Sequence, residues 1–157
     1  MRGDAKVNVR AWAATVLCTT FAGLAVAADI GQVKVVKGTV TIERGGQPIP
    51  ASVGTPVQAG DIVRTAPNAS VGITMVDDTL LSAGANSVLT LDRLDYDPAA
   101  PSGRLDATLR AGTLAVVSGR IAKQSPEAMT LRTPLAILGV RGTEFAVSAH
   151  DPVLARF

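Results

Sequence analysis

The chain predicts an all-β fold: short strands wrapped as a compact irregular β-solenoid or roll, or as a two-layer sandwich, preceded by an apolar signal helix. Three observations predict it. Apolar and polar residues alternate in short runs, turn-forming Gly, Pro, Asn and Asp separate those runs, and no stretch keeps helical apolar spacing for three turns.

At the N-terminus, Arg2, Lys6 and Arg10 precede the uncharged stretch "AWAATVLCTTFAGLAVAA", which closes on Ala25, Val26 and Ala27. A basic segment, an apolar segment and a small-residue cleavage pattern in that order predict a secretory signal peptide over residues 1–28, with retention as a membrane anchor the alternative. A β-domain over 29–150 and a tail over 151–157 follow, and the product is expected to be exported. Cys18 is the single cysteine and lies inside the apolar run. The bulky Leu17 precedes it where a lipid-modified cysteine wants a small residue, so lipidation is not expected. Export then removes the thiol, which excludes disulfide staples, thiol catalysis and cysteine metal sites.

Taking Arg2, Lys6, Arg10 and Asp4 from the 15 basic and 13 acidic residues leaves twelve of each. The basic character belongs to the leader. A neutral domain has no electrostatic footprint for nucleic acid or anionic lipid, so neither nucleic-acid binding nor stable membrane insertion after cleavage is expected. About 130 residues suffice for one domain with one core.

Side chains in a strand alternate between two faces. That period puts Val40 with Ile42 inward, then Val71 with Ile73 and Met75, and Leu89 with Leu91. It does the same for Leu105, Ala107 and Leu109, for Met129 with Leu131, and for Phe145 with Val147. "RGGQPIP", "QAGD", "TAPNAS", "VDD", "AGANS" and "DPAAPSG" supply turns, each with residues that accept positive φ or preset a bend. "SPEA" (125–128) predicts a single helical turn as a connector, with Ser125 capping, Pro126 at the first position and Glu127 complementing the dipole.

"KGTVTIE", "AGTLAVV" and "RGTEFAV" each set Gly-Thr ahead of an alternating strand, and "IVRTAP" and "TLRTPL" each run into Arg-Thr and proline. These echoes keep no fixed period, so identical solenoid coils are not predicted; a glycine relieving a tight corner between similar strands is. Beyond the leader the aromatic residues are Tyr96, Phe145 and Phe157, and small aliphatics fill narrow layers.

"GTVTIERGG", "VGTPVQAGDIVRTAPNASVGITMVDDTLLSAGANSVLTL", "LRAGTLAVVSG" and "LRTPLAILGVRGTEFAV", in that order, resemble the FecR-type periplasmic domain. The resemblance implies an envelope domain related to membrane-spanning anti-sigma regulators, which sense a TonB-dependent siderophore receptor and hold a sigma factor in the cytoplasm. Ten residues ahead of the apolar segment are too few for a sigma-binding region, so the expectation is a stand-alone exported form. Asp78 stands where the family tends to have glycine, and aspartate tolerates the left-handed backbone that the turn needs. Family members usually continue into further strands after "RGTEF", so a late pairing partner is expected to be missing here.

Gly60, Asp61, Arg64, Thr65, Arg132, Thr133, Arg141, Gly142, Thr143 and Glu144 form the candidate binding or structural signature. Gly142 eases a corner, Thr143 restarts a strand, and Arg141 and Glu144 are expected to pair with each other or with Asp61 and Arg64, fixing register. The functional alternative is an anion or carboxylate site on Arg64, Arg132 and Arg141. Asp92, Asp95 and Asp97 match no cation loop and are expected at a solvated strand end, as are Asp77 and Asp78 at their turn. His150 is the single histidine, and no "GxSxG" occurs. No catalytic residue, cofactor or metal is expected.

The leading expectation is therefore a non-catalytic exported domain that binds an envelope protein or polysaccharide, by edge-strand addition. One alternative is modulation of receptor and sigma-factor signalling of the iron-uptake type; another is a wall or polysaccharide hydrolase working through paired carboxylates.

Overall fold

A computed structural model describes residues 27–99, 102–140 and 144–150. The predicted signal segment lies outside the described residues up to Val26, as do Arg141, Gly142, Thr143 and the tail. Among the described residues, twelve strands carry the fold. They are β1 (Asp29–Lys37), β2 (Val40–Arg44), β3 (Gln47–Pro50), β4 (Pro56–Gln58), β5 (Ile62–Thr65) and β6 (Ser70–Met75). β7 (Leu80–Ala83), β8 (Val88–Tyr96), β9 (Gly103–Val117), β10 (Met129–Arg132), β11 (Ile137–Gly139) and β12 (Glu144–Ala149) complete the set.

β9 organises the rest. Its first part pairs antiparallel with β8, Leu109 opposite Leu89, and parallel with β10, Leu105 opposite Met129. Its last part pairs with β7, Val116 opposite Leu81, and with β12, Leu114 opposite Val147. The changeover falls at Gly112, which has φ +89. A Cβ there would lie 2.2 Å from Ser87 Oγ, so glycine is required both by conformation and by space. Strand order along the main path is β3-β2-β5-β8-β9-β7-β6-β1-β4. The outcome is one curled open sheet, a half-barrel. Solenoid coils and two separately bonded layers were the other expected forms. Neither describes it, because a fifteen-residue β9 carries the ladder from one half into the other.

All the expected inward residues from Val40 to Leu131 are buried, and both halves contribute to one core. Phe145 and Val147 are half-buried, at the rim of that core. Each fully buried Leu or Ile stabilises the fold by about 2–3 kcal/mol relative to exposure. Asp78 takes φ +67, the left-handed conformation expected of it.

The parallel β9–β10 pair needs a crossover, since a hairpin can only reverse direction. The short helix α1 (Arg120–Gln124) and a 3-10 turn (Pro126–Ala128) supply it. The sequence pointed only to the second of these, and Ser125 makes no side-chain cap hydrogen bond. α1 has only five residues and buries Ile121 and Ala122, too short a run for a helical period to show.

Asp77 departs furthest from expectation. It is not solvated but fully buried, and its carboxylate accepts hydrogen bonds from the Thr79 hydroxyl (2.7 Å), the Thr79 amide (3.1 Å) and the Ile121 amide (3.4 Å). Thr79 Oγ1 in turn accepts from the Gly119 amide (3.0 Å), and the Arg120 amide donates to the Asp77 carbonyl (2.8 Å). Gly119 is needed at this contact, because a Cβ would fall 2.3 Å from the Asp77 carbonyl oxygen. The network clamps the β6–β7 hairpin to the start of the crossover. Asp78 instead faces solvent and pairs with Arg120 at 3.0 Å.

Two adjacent aspartates should therefore behave differently in urea unfolding. Asp77→Ala leaves buried donors without an acceptor and should cost about 3 kcal/mol. Asp78→Ala removes only an exposed ion pair and should cost about 1 kcal/mol or less. Equal small losses would contradict the clamp.

Candidate functional site

The signature residues divide between two structural locks and one surface. Gly60 takes φ +87 in the turn from β4 into β5, and its amide donates to the Leu91 carbonyl at 2.7 Å. Asp61, next in the chain, is buried. Its carboxylate accepts from Arg44 Nε (2.9 Å), Arg44 Nη2 (2.7 Å) and the Gln58 amide (2.8 Å). Arg44 Nη2 also donates to the Pro56 carbonyl at 3.0 Å. The fork of Arg44 thus ties β2 to the turn between the two ends of the open sheet. Hydrogen bonding to Asp61 raises the Arg44 pKa against the opposing cost of burial. Arg44 is the partner that sequence reasoning missed; its only local signal is its place at the polar end of "TVTIER".

The second lock is at Thr65, where Oγ1 donates to the Gly84 carbonyl (2.5 Å) and accepts from the Ser87 amide (2.8 Å). Ser87 Oγ donates to the Thr113 carbonyl and accepts from its amide, beside the Gly112 bend. Thr65 therefore braces the corner through which β9 passes from one half of the sheet to the other.

Arg64 is exposed and pairs with Glu43 at 3.1 Å. Arg132 is exposed on β10. Between β5 and β10 lie β8 and β9, so Arg64 and Arg132 stand about 14 Å apart at three strand spacings and do not converge on one anion. Arg141 lies outside the described residues. Thr133 closes a turn: its amide and hydroxyl donate to the Ala136 carbonyl and its hydroxyl accepts from the Ala136 amide. Glu144 opens β12 and is exposed. Asp61 and Arg64, the partners expected for Arg141 and Glu144, are taken by Arg44 and Glu43.

Asp92 and Asp95 are both exposed, because a register shift in β8 between Leu91 and Arg93 interrupts strict alternation. Asp92 accepts from Thr108 Oγ1 at 2.6 Å, Asp95 pairs with Arg93, and Asp97 accepts from the Ala99 amide. Asp106, one strand over, is buried. Burial opposes its charge, yet the hydrogen bond and charge of Arg104 (2.7 Å), with smaller pulls from Thr130 and Arg132, hold its carboxyl below the usual carboxylate range. Arg104 bonds Oδ2; Oδ1 is buried without a hydrogen-bond partner among the described residues.

The surface is a sheet edge. Among the described residues β3, β4, β11 and β12 each pair with one strand only. β3 carries Pro48 and Pro50, β4 has three residues and begins at Pro56, and β11 has three residues. Shortness and proline both blunt an edge against further pairing. β12 has none of these devices. It runs for six residues in unbroken register with β9 and contains neither proline nor lysine. Beside it a groove of about 310 Å³ is lined by Pro134, Leu135, Leu138, Val147, Ala149 and His150. Leu135 and Ile137, on the facing hairpin, are 84% and 71% exposed.

Two measurements check the structural assignments. Arg44→Met should lower stability by about 2 kcal/mol, because buried Asp61 loses both guanidinium bonds; Arg64→Met, at an exposed pair, should cost less than about 1 kcal/mol. For Asp106 the folded pKa is depressed, so its contribution is complete above the ordinary carboxylate value of about 4 and is lost as pH falls through the folded value. Stability measured from pH 6 down to pH 2 should fall less steeply for Asp106→Asn than for the unaltered protein; parallel curves would contradict this.

Comparison with known proteins adds the family. A solved chain titled "Cell surface anchoring domain" is 32% identical over 39% of this chain and 82% of its own, with a TM-score of 0.38. No curated protein matches the sequence. The family model described as "FecR protein" matches residues 61–155, from the buried Asp61 at the head of β5 to beyond the end of β12. The chain belongs to the FecR family.

Proposed function

We propose that this FecR-family domain is a non-catalytic binding module of the bacterial envelope that takes up an extended segment of an envelope protein along β12. FecR domains are periplasmic and their family is regulatory rather than catalytic, which fits an envelope role of this kind. Among the described residues no helix is long and apolar enough to cross a membrane. The single observation that carries the reading is the contrast between edges: β3, β4 and β11 are blunted, and β12 is not. An added strand would gain main-chain hydrogen bonds along β12, while its alternate side chains would meet the apolar groove between β12 and Leu135. A polysaccharide gains nothing from a row of unpaired amides that a peptide would not gain better.

Family membership also favours a second reading, in which the partner is a receptor or membrane regulator of the TonB-dependent type and strand addition transmits a signal. Transcription of siderophore-receptor genes under iron starvation in a deletion strain would then change; an unchanged profile removes this reading and leaves the first.

Consecutive residues of an edge strand send their amides alternately toward the neighbour and away from it. Of Ala146→Pro and Val147→Pro, one should therefore break the ladder to β9 and lower stability by roughly 3 kcal/mol. The other should keep the fold and abolish capture of the envelope protein. Capture that survives both substitutions, or a partner that proves to be polysaccharide, contradicts strand addition.

A further inference from the structure

The residues of β12 are complementary to themselves. We infer that β12 also pairs antiparallel with β12 of a second copy, about a two-fold axis through Val147, forming one sheet across two molecules. The inference rests on β12 being a pairing edge, as above, and names a partner for that edge.

A continuous sheet requires both copies to keep their cores on the same side. Directly opposed residues of an antiparallel pair share a face, and a slip of one residue exchanges the faces. The axis must therefore pass through a residue. An axis at Ala146 sets Glu144 against Ser148, whereas an axis at Val147 sets it against His150. On the exposed face Glu144 meets the second copy's His150 at both ends, and Ala146 meets Ser148. On the core side Phe145 meets Ala149, large against small, and Val147 meets itself.

Two-fold interfaces have this property: residue i meets j while j meets i. The half-buried Phe145 and Val147 at the rim of the core would gain cover from their counterparts. On the exposed face, Ser82, Ala115, Ala146 and Ser148 line a shallow trough of about 530 Å³.

The test uses the protein recovered after export, in a Cys18→Ser background. Val147→Cys should form a disulfide dimer, because opposed Cα atoms lie about 4.5–5.5 Å apart, within disulfide reach. Ala146→Cys alone should not, since its twin is diagonal at about 7–8 Å, but mixed with Ser148→Cys it should cross-link. In sedimentation equilibrium, Glu144→Lys should weaken dimerisation about tenfold, and Glu144→Lys with His150→Glu should restore it. A monomer at all concentrations, or equal cross-linking of Val147→Cys and Ala146→Cys, overturns the inference. A monomer whose envelope capture still depends on β12 sinks self-pairing and spares the binding reading. A Val147-linked dimer whose capture ignores β12 supports self-pairing and sinks the other.

Discussion

One strand has to hydrogen-bond in two directions at once. β9 is fifteen residues long and serves β8 and β10 at its start, then β7 and β12 at its end, and it can do so only because Gly112 turns the ladder at φ +89 against Ser87. A side chain at that position would collide with the serine that braces the bend. Most of the remaining organisation follows. Two halves of one sheet share a core of Leu, Ile and Val, and the crossover after β9 must pass through α1 because β10 returns parallel.

Buried polar groups lie where this arrangement needs fastening. Asp77 clamps the β6–β7 hairpin to the crossover, Asp61 and Arg44 join the two ends of the open sheet, and Thr65 with Ser87 holds the bend. A charge or hydroxyl buried without partners is costly, and with partners it fixes one geometry. The residues that read most like chemistry in the sequence thus serve closure, and in the function proposed above recognition falls to main chain: the side of β12 that no described strand pairs, beside the groove. Three other edges carry proline or are too short to extend. That difference between edges joins a family of envelope regulators to a mechanism by which this member could engage another chain.

The faces of the strands were legible in the sequence, because a period of two survives any topology; Leu105, Ala107 and Leu109 are buried as their alternation requires. Pairing was not legible. "GRLDATLR" and "AGTLAVV" read as two strands separated by a glycine corner, whereas they are one strand bent at that glycine. Arg44 and Asp61 are 17 residues apart, and nothing local announces their contact. Asp77 looked like a turn residue because polar Asp78 and Thr79 follow it. Its burial comes from Gly119 and Ile121, more than forty residues on. The left-handed turn at Asp78 was readable, since its cause lies in the residue itself.

Amide hydrogen exchange read residue by residue along β12 tests the open edge most directly. In dilute protein the β12 amides should alternate, those bonded to β9 exchanging slowly and those between them fast, and the fast set should slow when a second copy or an envelope strand is added. Uniform slow exchange in the dilute monomer, or a fast set that no added chain slows, would contradict the account.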